Sequence, residues 1–476
     1  MALLTGDQYR ESLRDFSPEI YMRGQRVERH WEHPLLRQTV NHLAAHYDAA
    51  HGDPEHFCVL SPLIGKPVPR ISHHIQQSLE DVIIKARLTR EVSARRICAG
   101  CMSNMLSVTW ALIYDIDQAH STEYFPRFRE FVKSLQKKDQ IIAWGMMDPK
   151  GDRSLSPSRQ KHSPDLRVVK QHPDGIVVRG TKVHTTYGPA AHHIVVVPCR
   201  ALGPEDKDFA ISFALPIDAK GLKMIARPSP GPAAETKMES PLSSRYLGVE
   251  AMTLFDDVFV PDEKIFMCRE WDQAFKLPLY FASLHRQSKC ACSAGHTDLF
   301  IGTSALAAEV NGLGMKVSHI RDKVTEMMMA AETAFGCSLG AALEGKKHPS
   351  GVFLPDPVIA NSGLNFIRSR MGTHLNYLHD IAGGLLSTMP TEADWNHPDL
   401  RKYIEEGLRG SPKYSTEERL KVMNLAQDLA ASRLTGTLLG FTINAAGSPV
   451  TNQIVVRNLY DLEKRIQVAK EIVGMK

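Results

Sequence analysis

Gly175-Ile-Val-Val-Arg-Gly-Thr-Lys-Val-His184, His193-Ile-Val-Val-Val-Pro198, Phe209-Ala-Ile-Ser-Phe-Ala-Leu-Pro216 and Met252-Thr-Leu-Phe-Asp-Asp-Val-Phe-Val-Pro261 are short runs rich in β-branched and aromatic residues, parted by turn residues. Their spacing of roughly 10–20 residues predicts a compact antiparallel β barrel or sandwich. On either side the pattern turns helical. Upstream, Thr5-x-x-Gln8 forms a candidate capping box before Tyr9, Leu13 and Phe16. From Gln76 to about Asp117 no proline occurs, and Val82, Ile83, Ala86, Ile97, Met105 and Trp110 mark buried faces. Downstream of Trp271, Val317, Ile320, Val324, Met327 and Ala331 repeat on one helix face, with interruptions near 346–356 and 389–412. The expected architecture is mainly α with a central β domain. Residues 1–145 form an N-terminal helical domain, 146–270 a middle β domain, and 271–476 a C-terminal helical bundle.

Composition narrows the function classes. The chain has 476 residues with 43% hydrophobic and 23% charged, a mix that excludes disordered and fibrous proteins. Lys+Arg 57 against Asp+Glu 53 leaves +4, too balanced for a nucleic-acid or membrane surface. No apolar run approaches the roughly 18 residues of a membrane span. Met1-Ala-Leu-Leu-Thr5-Gly-Asp-Gln8 lacks the basic and apolar regions of a secretory signal, so a cytoplasmic location is expected. Eight cysteines are too few for a disulfide scaffold and are expected as reduced thiols. Neither a G-x-G-x-x-G turn nor a G-x-x-x-x-G-K-[ST] loop occurs.

Two groups of residues carry chemistry. Cys98 and Cys101 stand at i, i+3 in a predicted helix, either as packed small side chains or as ligands. His285-Arg-Gln-Ser-Lys289-Cys290-Ala-Cys292 places His285, Lys289 and Cys292 at i, i+4, i+7 on one stripe, with Cys290 turned away. Together the groups offer up to five soft ligands, suited to an iron–sulfur cluster or zinc. Glu250, ahead of a β run, is either a buried acid–base carboxyl or a solvated one. Thr185 and Thr186, after His184, either bond a flavin ring or cap a turn.

Longer blocks carry a family likeness. Thr5-Gly-Asp-Gln-Tyr9-x-Glu11-Ser-Leu-Arg14, Tyr21-x-x-Gly24 and His33-Pro34 resemble the opening of the 4-hydroxyphenylacetate 3-hydroxylase/4-hydroxybutyryl-CoA dehydratase flavoprotein family. Asp148-Pro-Lys-Gly-Asp-Arg153, Asp174-Gly-Ile-Val-Val-Arg-Gly180, Asp206-Lys-Asp-Phe-Ala-Ile-Ser-Phe-Ala214, Asp380-Ile-Ala-Gly-Gly384, Thr388-Met-Pro-Thr-Glu-Ala-Asp394, Thr416-Glu-Glu-Arg419 and Ala446-Gly-Ser-Pro449 resemble its dehydratase branch. Ser240-Pro-Leu-Ser-Ser-Arg245 is instead similar to the hydroxylase branch.

The resemblance implies an acyl-CoA-dehydrogenase-like fold, FAD between the β domain and the helices, and a homotetramer. For the dehydratase branch it further implies a [4Fe–4S] cluster on three cysteines and a histidine, and conversion of 4-hydroxybutyryl-CoA to crotonyl-CoA with vinylacetyl-CoA isomerisation beside it. The hydroxylase branch implies an FADH2-dependent aromatic monooxygenase, and a third possibility is a catalytically silent relative. Carried over by position, Cys98, His285 and Cys292 match cluster ligands, Glu250 an active-site glutamate and Thr186 a flavin-contacting threonine. Departures accompany them. Ala94 stands where another cluster cysteine belongs, Lys289 replaces a tyrosine, Ser293 a lysine and Phe441 a second glutamate. Cys101 is the candidate substitute ligand, with Cys290 as another, and Lys289 a substitute polar group in the catalytic set with His285 and Glu250.

Overall fold

The computed structural model describes residues 3–98, 102–228, 231–232, 236, 238–246 and 248–475. The first helix, α1 (Gly6–Ser12), opens with the expected capping box. Gln8 N donates to Thr5 Oγ1 at 3.2 Å and Thr5 N to Gln8 Oε1 at 2.9 Å. It fixes Tyr9, whose buried ring stacks on Tyr47 of α2 (Arg37–Gly52) at 4.7 Å. The short α3 (Pro54–Phe57) follows, then α4 (Leu79–Arg96), α5 (Met102–His120) and α6 (Tyr124–Lys138).

Within the N-terminal stretch lie β1 (Glu19–Met22), β2 (Gln25–Val27), the hairpin β3 (Cys58–Ser61) and β4 (Lys66–Pro69), and β5 (Ile142–Gly145). The middle of the chain supplies β6 (Arg167–His172), β7 (Gly175–Thr186), β8 (His193–Val196), β9 (Ile211–Pro216), β10 (Leu222–Ala226), β11 (Glu250–Pro261) and β12 (Ile265–Cys268). The four predicted runs are thus β7, β8, β9 and β11. They form two sheets, ordered β2-β1-β10-β11-β7-β6 and β12-β9-β8-β5. The all-antiparallel expectation needs one correction: β1 pairs with β10, and β5 with β8, in parallel. Both parallel partners come from the N-terminal stretch, across connections long enough to reverse the chain. Ile176, Val178, Phe213, Phe255 and Val258 fill the space beneath the large sheet.

The predicted continuous helix over the first cysteine pair also needs correction. α4 ends at Arg96, and Ile97 has φ 68°, a left-handed conformation that a β-branched residue rarely adopts. The ring of His296 holds the Ile97 carbonyl and Cys98 N turns back to Arg96 O at 2.7 Å, so tertiary contacts impose the break. Cys98 is therefore not helical, and Cys101 lies outside the described residues.

The bundle is organised by α7 (Lys276–Val310), a helix of 35 residues packed against α4, α5, α8 (Ser318–Leu343) and α9 (Pro357–Arg368). From Ala282 to Thr297 every residue except His285 is buried, as for a helix enclosed on all sides. Gly295 permits the tightest contact, since a Cβ there would sit 2.2 Å from the Arg90 carbonyl oxygen of α4. Of the predicted face Val317, Ile320, Val324, Met327 and Ala331, the last four are buried on α8, whereas Val317 precedes the helix and is half-buried.

Asn361 of α9 ties the bundle together. Its amide donates to Ala282 O at 2.9 Å and Pro357 O at 2.6 Å, while its carbonyl accepts from Arg286 at 2.5 Å and Asn452 at 2.7 Å. Asn361→Leu keeps the volume but strands buried donors and acceptors, each costing about 1–3 kcal/mol. The variant is expected to lose about 3 kcal/mol or more in urea unfolding, and an unchanged midpoint would refute this role.

Candidate active site

The end of β7 is shaped by a bulge. Ala251 pairs with Thr185 and Thr253 with Lys182, so β7 carries the extra residue opposite Met252. His184 at φ 58° and Tyr187 at φ 62° bracket Thr185 and Thr186 in left-handed conformations. The kink sends the two threonines to different partners. Thr185 Oγ1, fully buried, accepts from Thr253 Oγ1 at 2.9 Å, and Thr186 Oγ1 donates to Glu250 Oε1 at 2.7 Å. Gly248 lies against the Tyr187 ring, where a Cβ would come within 2.9 Å of Cε1. That ring stacks on His42 of α2 at 5.5 Å, with its hydroxyl 3.1 Å from His42 Nε2.

Glu250 is half-buried, with its carboxyl largely shielded. Among the described residues its Oε2 has no hydrogen-bond partner, and burial raises the carboxyl to about 7 against the lowering effect of Thr186. A carboxyl so placed exchanges a proton near neutrality, as acid–base work requires.

The predicted stripe on α7 is real. Lys289 Nζ lies 3.6 Å from Cys292 Sγ, and His296 Nε2 is 3.8 Å from the same sulfur. Burial raises the Cys292 thiol, but Lys289, His296 and Ser93 of α4 outweigh it and hold the group well below the ordinary thiol range. His285 stacks on Phe281 at 4.3 Å, with Nδ1 3.4 Å from Asn104 Nδ2. Burial, then Lys289, Lys85 and Arg286, lower it to about 3, so the imidazole is neutral. Lys85, itself buried, donates to Asn104 Oδ1. Cys290 does turn away, to the Ala360 carbonyl at 3.3 Å.

The strand-end residues and the α7 stripe are each internally connected. Of the expected metal ligands, Cys98, His285 and Cys292 lie among the described residues, with the following neighbours. Cys98 packs against the core beneath the large sheet, and its backbone meets the rings of His42 and His46. Cys292 is enclosed by Lys289, His296 and Ser93, while His285 faces Asn104 and Phe281. Among the described residues no three His, Cys, Asp or Glu side chains are grouped to hold a metal ion.

Several participants escaped the sequence reading. Lys182, buried on β7, pairs with Asp148 Oδ1 at 2.6 Å and donates to the Met146 and Val197 carbonyls, anchoring the Asp148–Arg153 loop beside the sheet. Cys199 Sγ donates to the other oxygen of Asp148 at 3.0 Å. Ser93, Lys85 and Asn104 reach the α7 stripe from α4 and α5. Only His296, at i+4 from Cys292, carried a local signal.

With this geometry the chain belongs to the 4-hydroxyphenylacetate 3-hydroxylase family of enzymes. It matches the family's N-terminal profile over residues 5–267 and its C-terminal profile over 275–474. It is 35% identical over 501 residues to the 4-hydroxybutyryl-CoA dehydratase/vinylacetyl-CoA-Delta-isomerase of Clostridium aminobutyricum, covering 100% of both chains. The oxygen-tolerant archaeal 4-hydroxybutyryl-CoA dehydratase of N. maritimus superposes with a TM-score of 0.94 at 31% identity, covering 100% of this chain and 96% of that one. The oxygenase component of 4-hydroxyphenylacetate 3-monooxygenase, solved with FAD and 4-hydroxyphenylacetate, gives 0.86 at 25% identity, covering 99% of each chain. Among the described residues no helix is long and apolar enough to cross a membrane.

Proposed function

We propose that this chain is an FAD-dependent lyase/isomerase of the dehydratase type, acting on a hydroxyacyl-CoA or related acyl-CoA in an acyl-CoA-dehydrogenase-like fold. The observation that carries the reading is Glu250: a shielded carboxyl bonded to Thr186, with one oxygen unpartnered among the described residues, in a chain that retains His285 on α7. The residues fit a flavin at the end of β7. Among the described residues Glu250 Oε2 is an orphaned acceptor there, and the kinked backbone sets Thr186 beside it, with Thr185 buried against Thr253. When bound, FAD supplies electron storage that no side chain provides.

The chain's own groups then divide the remaining work. Glu250, largely protonated below about pH 7, donates a proton near the acyl group and recovers it afterwards. His285, neutral, offers a hydrogen-bonding nitrogen in place of a charge. Lys289 places positive charge beside the stripe, where it favours an acyl oxygen gaining negative charge. No step is assigned to an iron–sulfur cluster, since among the described residues no three His, Cys, Asp or Glu side chains are grouped to hold a metal ion. A homotetramer belongs to the same reading. Val450, Ile454, Leu462, Ile466 and Ile472 are exposed on the last two helices, as on a face that a second copy covers. A cytoplasmic location is part of the proposal as well.

The test is an anaerobic assay of the flavin-loaded protein with vinylacetyl-CoA and 4-hydroxybutyryl-CoA. Vinylacetyl-CoA isomerisation needs only proton movement and is the expected activity. Inertness toward both thioesters would overturn the reading. A second reading, an FADH2-dependent aromatic monooxygenase, is favoured by Ser240-Pro-Leu-Ser-Ser-Arg245 and by chemistry that needs no cluster. Oxygen-dependent hydroxylation of a phenol with reduced flavin would select it, and turnover in either assay excludes a silent relative.

A further inference from the structure

The cluster that the family likeness implies for Cys98, Cys101, His285 and Cys292 meets a site built from other groups. A cubane of iron and sulfide needs thiolates and imidazole converging on one volume, with little competing positive charge inside it. Here Lys289 Nζ lies 3.6 Å from Cys292 Sγ, on the same helix face as His285. Lys85, buried on α4, is fixed by Asn104, which also faces His285. Two lysine side chains, 4% and 7% exposed, therefore occupy the region between α4, α5 and α7. His296, which also touches Cys292, holds the Ile97 carbonyl and locks the chain break ahead of Cys98, whose backbone meets the rings of His42 and His46. Ala94 offers no sulfur where a further ligand would stand, and Ser93 beside it already faces Cys292.

We infer that the folded chain holds no iron–sulfur cluster, and that the cluster position is filled by a protein-only network of Lys289, Cys292, His296, Ser93, Lys85, Asn104 and His285. The positive charge of the site is then carried by lysine ammonium groups in place of iron. Ammonium attracts an acyl or carboxylate oxygen but offers no vacant coordination position for a hydroxyl group. The site consequently suits proton transfer on a thioester better than removal of an unactivated hydroxyl. This inference rests on the acyl-CoA reading for its substrate class, but not for the absence of iron.

The test is anaerobic purification from iron-replete cells, with iron, acid-labile sulfide and FAD counted per chain in the wild type and in Cys292→Ser. Flavin absorption with negligible iron and sulfide in both proteins is expected. Sulfide-free iron that is unchanged in Cys292→Ser is adventitious and supports the same conclusion. About four irons and four sulfides per chain, lost in Cys292→Ser while FAD stays, would overturn it. Absence of FAD with absence of iron would instead count against the flavin reading, leaving the cluster-free site standing.

Discussion

Replacing Glu250 by glutamine is expected to lower turnover by about 10²–10⁴-fold while leaving flavin content unchanged, the effect of removing a positioned acid. The wild-type rate is expected to fall as pH rises through about 7, because the protonated carboxyl is the donor. The same residue sets a pH dependence of stability. Its folded value, about 7, lies above its ordinary 4.5, so the folded state holds the proton more tightly than the unfolded chain. Stability from this group is full below about pH 4.5 and is lost as pH rises through about 7. At roughly 1.4 kcal/mol per pH unit, the total loss is about 3 kcal/mol. Glutamine does not titrate, so urea midpoints of Glu250→Gln should lack this fall between pH 5 and 8. Parallel wild-type and variant curves would show that the carboxyl is solvated, and equal turnover that it is not the acid.

Lys289→Met should be the more disruptive change for the fold. It deletes the ammonium 3.6 Å from Cys292 Sγ and leaves a buried thiolate to be neutralised or unpaired. Breaking a buried ion pair from one side costs about 3–5 kcal/mol. The companion Cys292→Ala removes the other partner, and the double variant should recover a large part of the loss, because both members of the pair are then gone. Urea unfolding of the four proteins gives the coupling directly. Additive losses would show that Lys289 and Cys292 are neighbours without being a pair.

The strands β7, β8, β9 and β11 were legible because alternation and turn residues act locally. So was the stripe His285, Lys289, Cys292, since helical spacing alone sets it. The short β1 and β5 were not, for four residues in a helical context become strands only when a sheet edge accepts them. Nothing in the residues flanking Ile97 announces a break either. The left-handed turn exists because His296, almost 200 residues later, holds the Ile97 carbonyl. Glu250 posed the same difficulty: a carboxylate at the start of a strand reads alike whether water or protein shields it. The family pattern placed ligands by alignment, but Lys85, Asn104 and Ser93 come from helices whose approach only the fold determines. Sequence spacing thus described each element well and described poorly what two elements do to one another.

The most direct measurement is the conversion of vinylacetyl-CoA by the flavin-loaded protein in deuterated buffer under anaerobic conditions. Formation of crotonyl-CoA carrying solvent deuterium, suppressed in Glu250→Gln, is the predicted result. An unchanged thioester, from protein that hydroxylates a phenol with reduced flavin and oxygen, would contradict it.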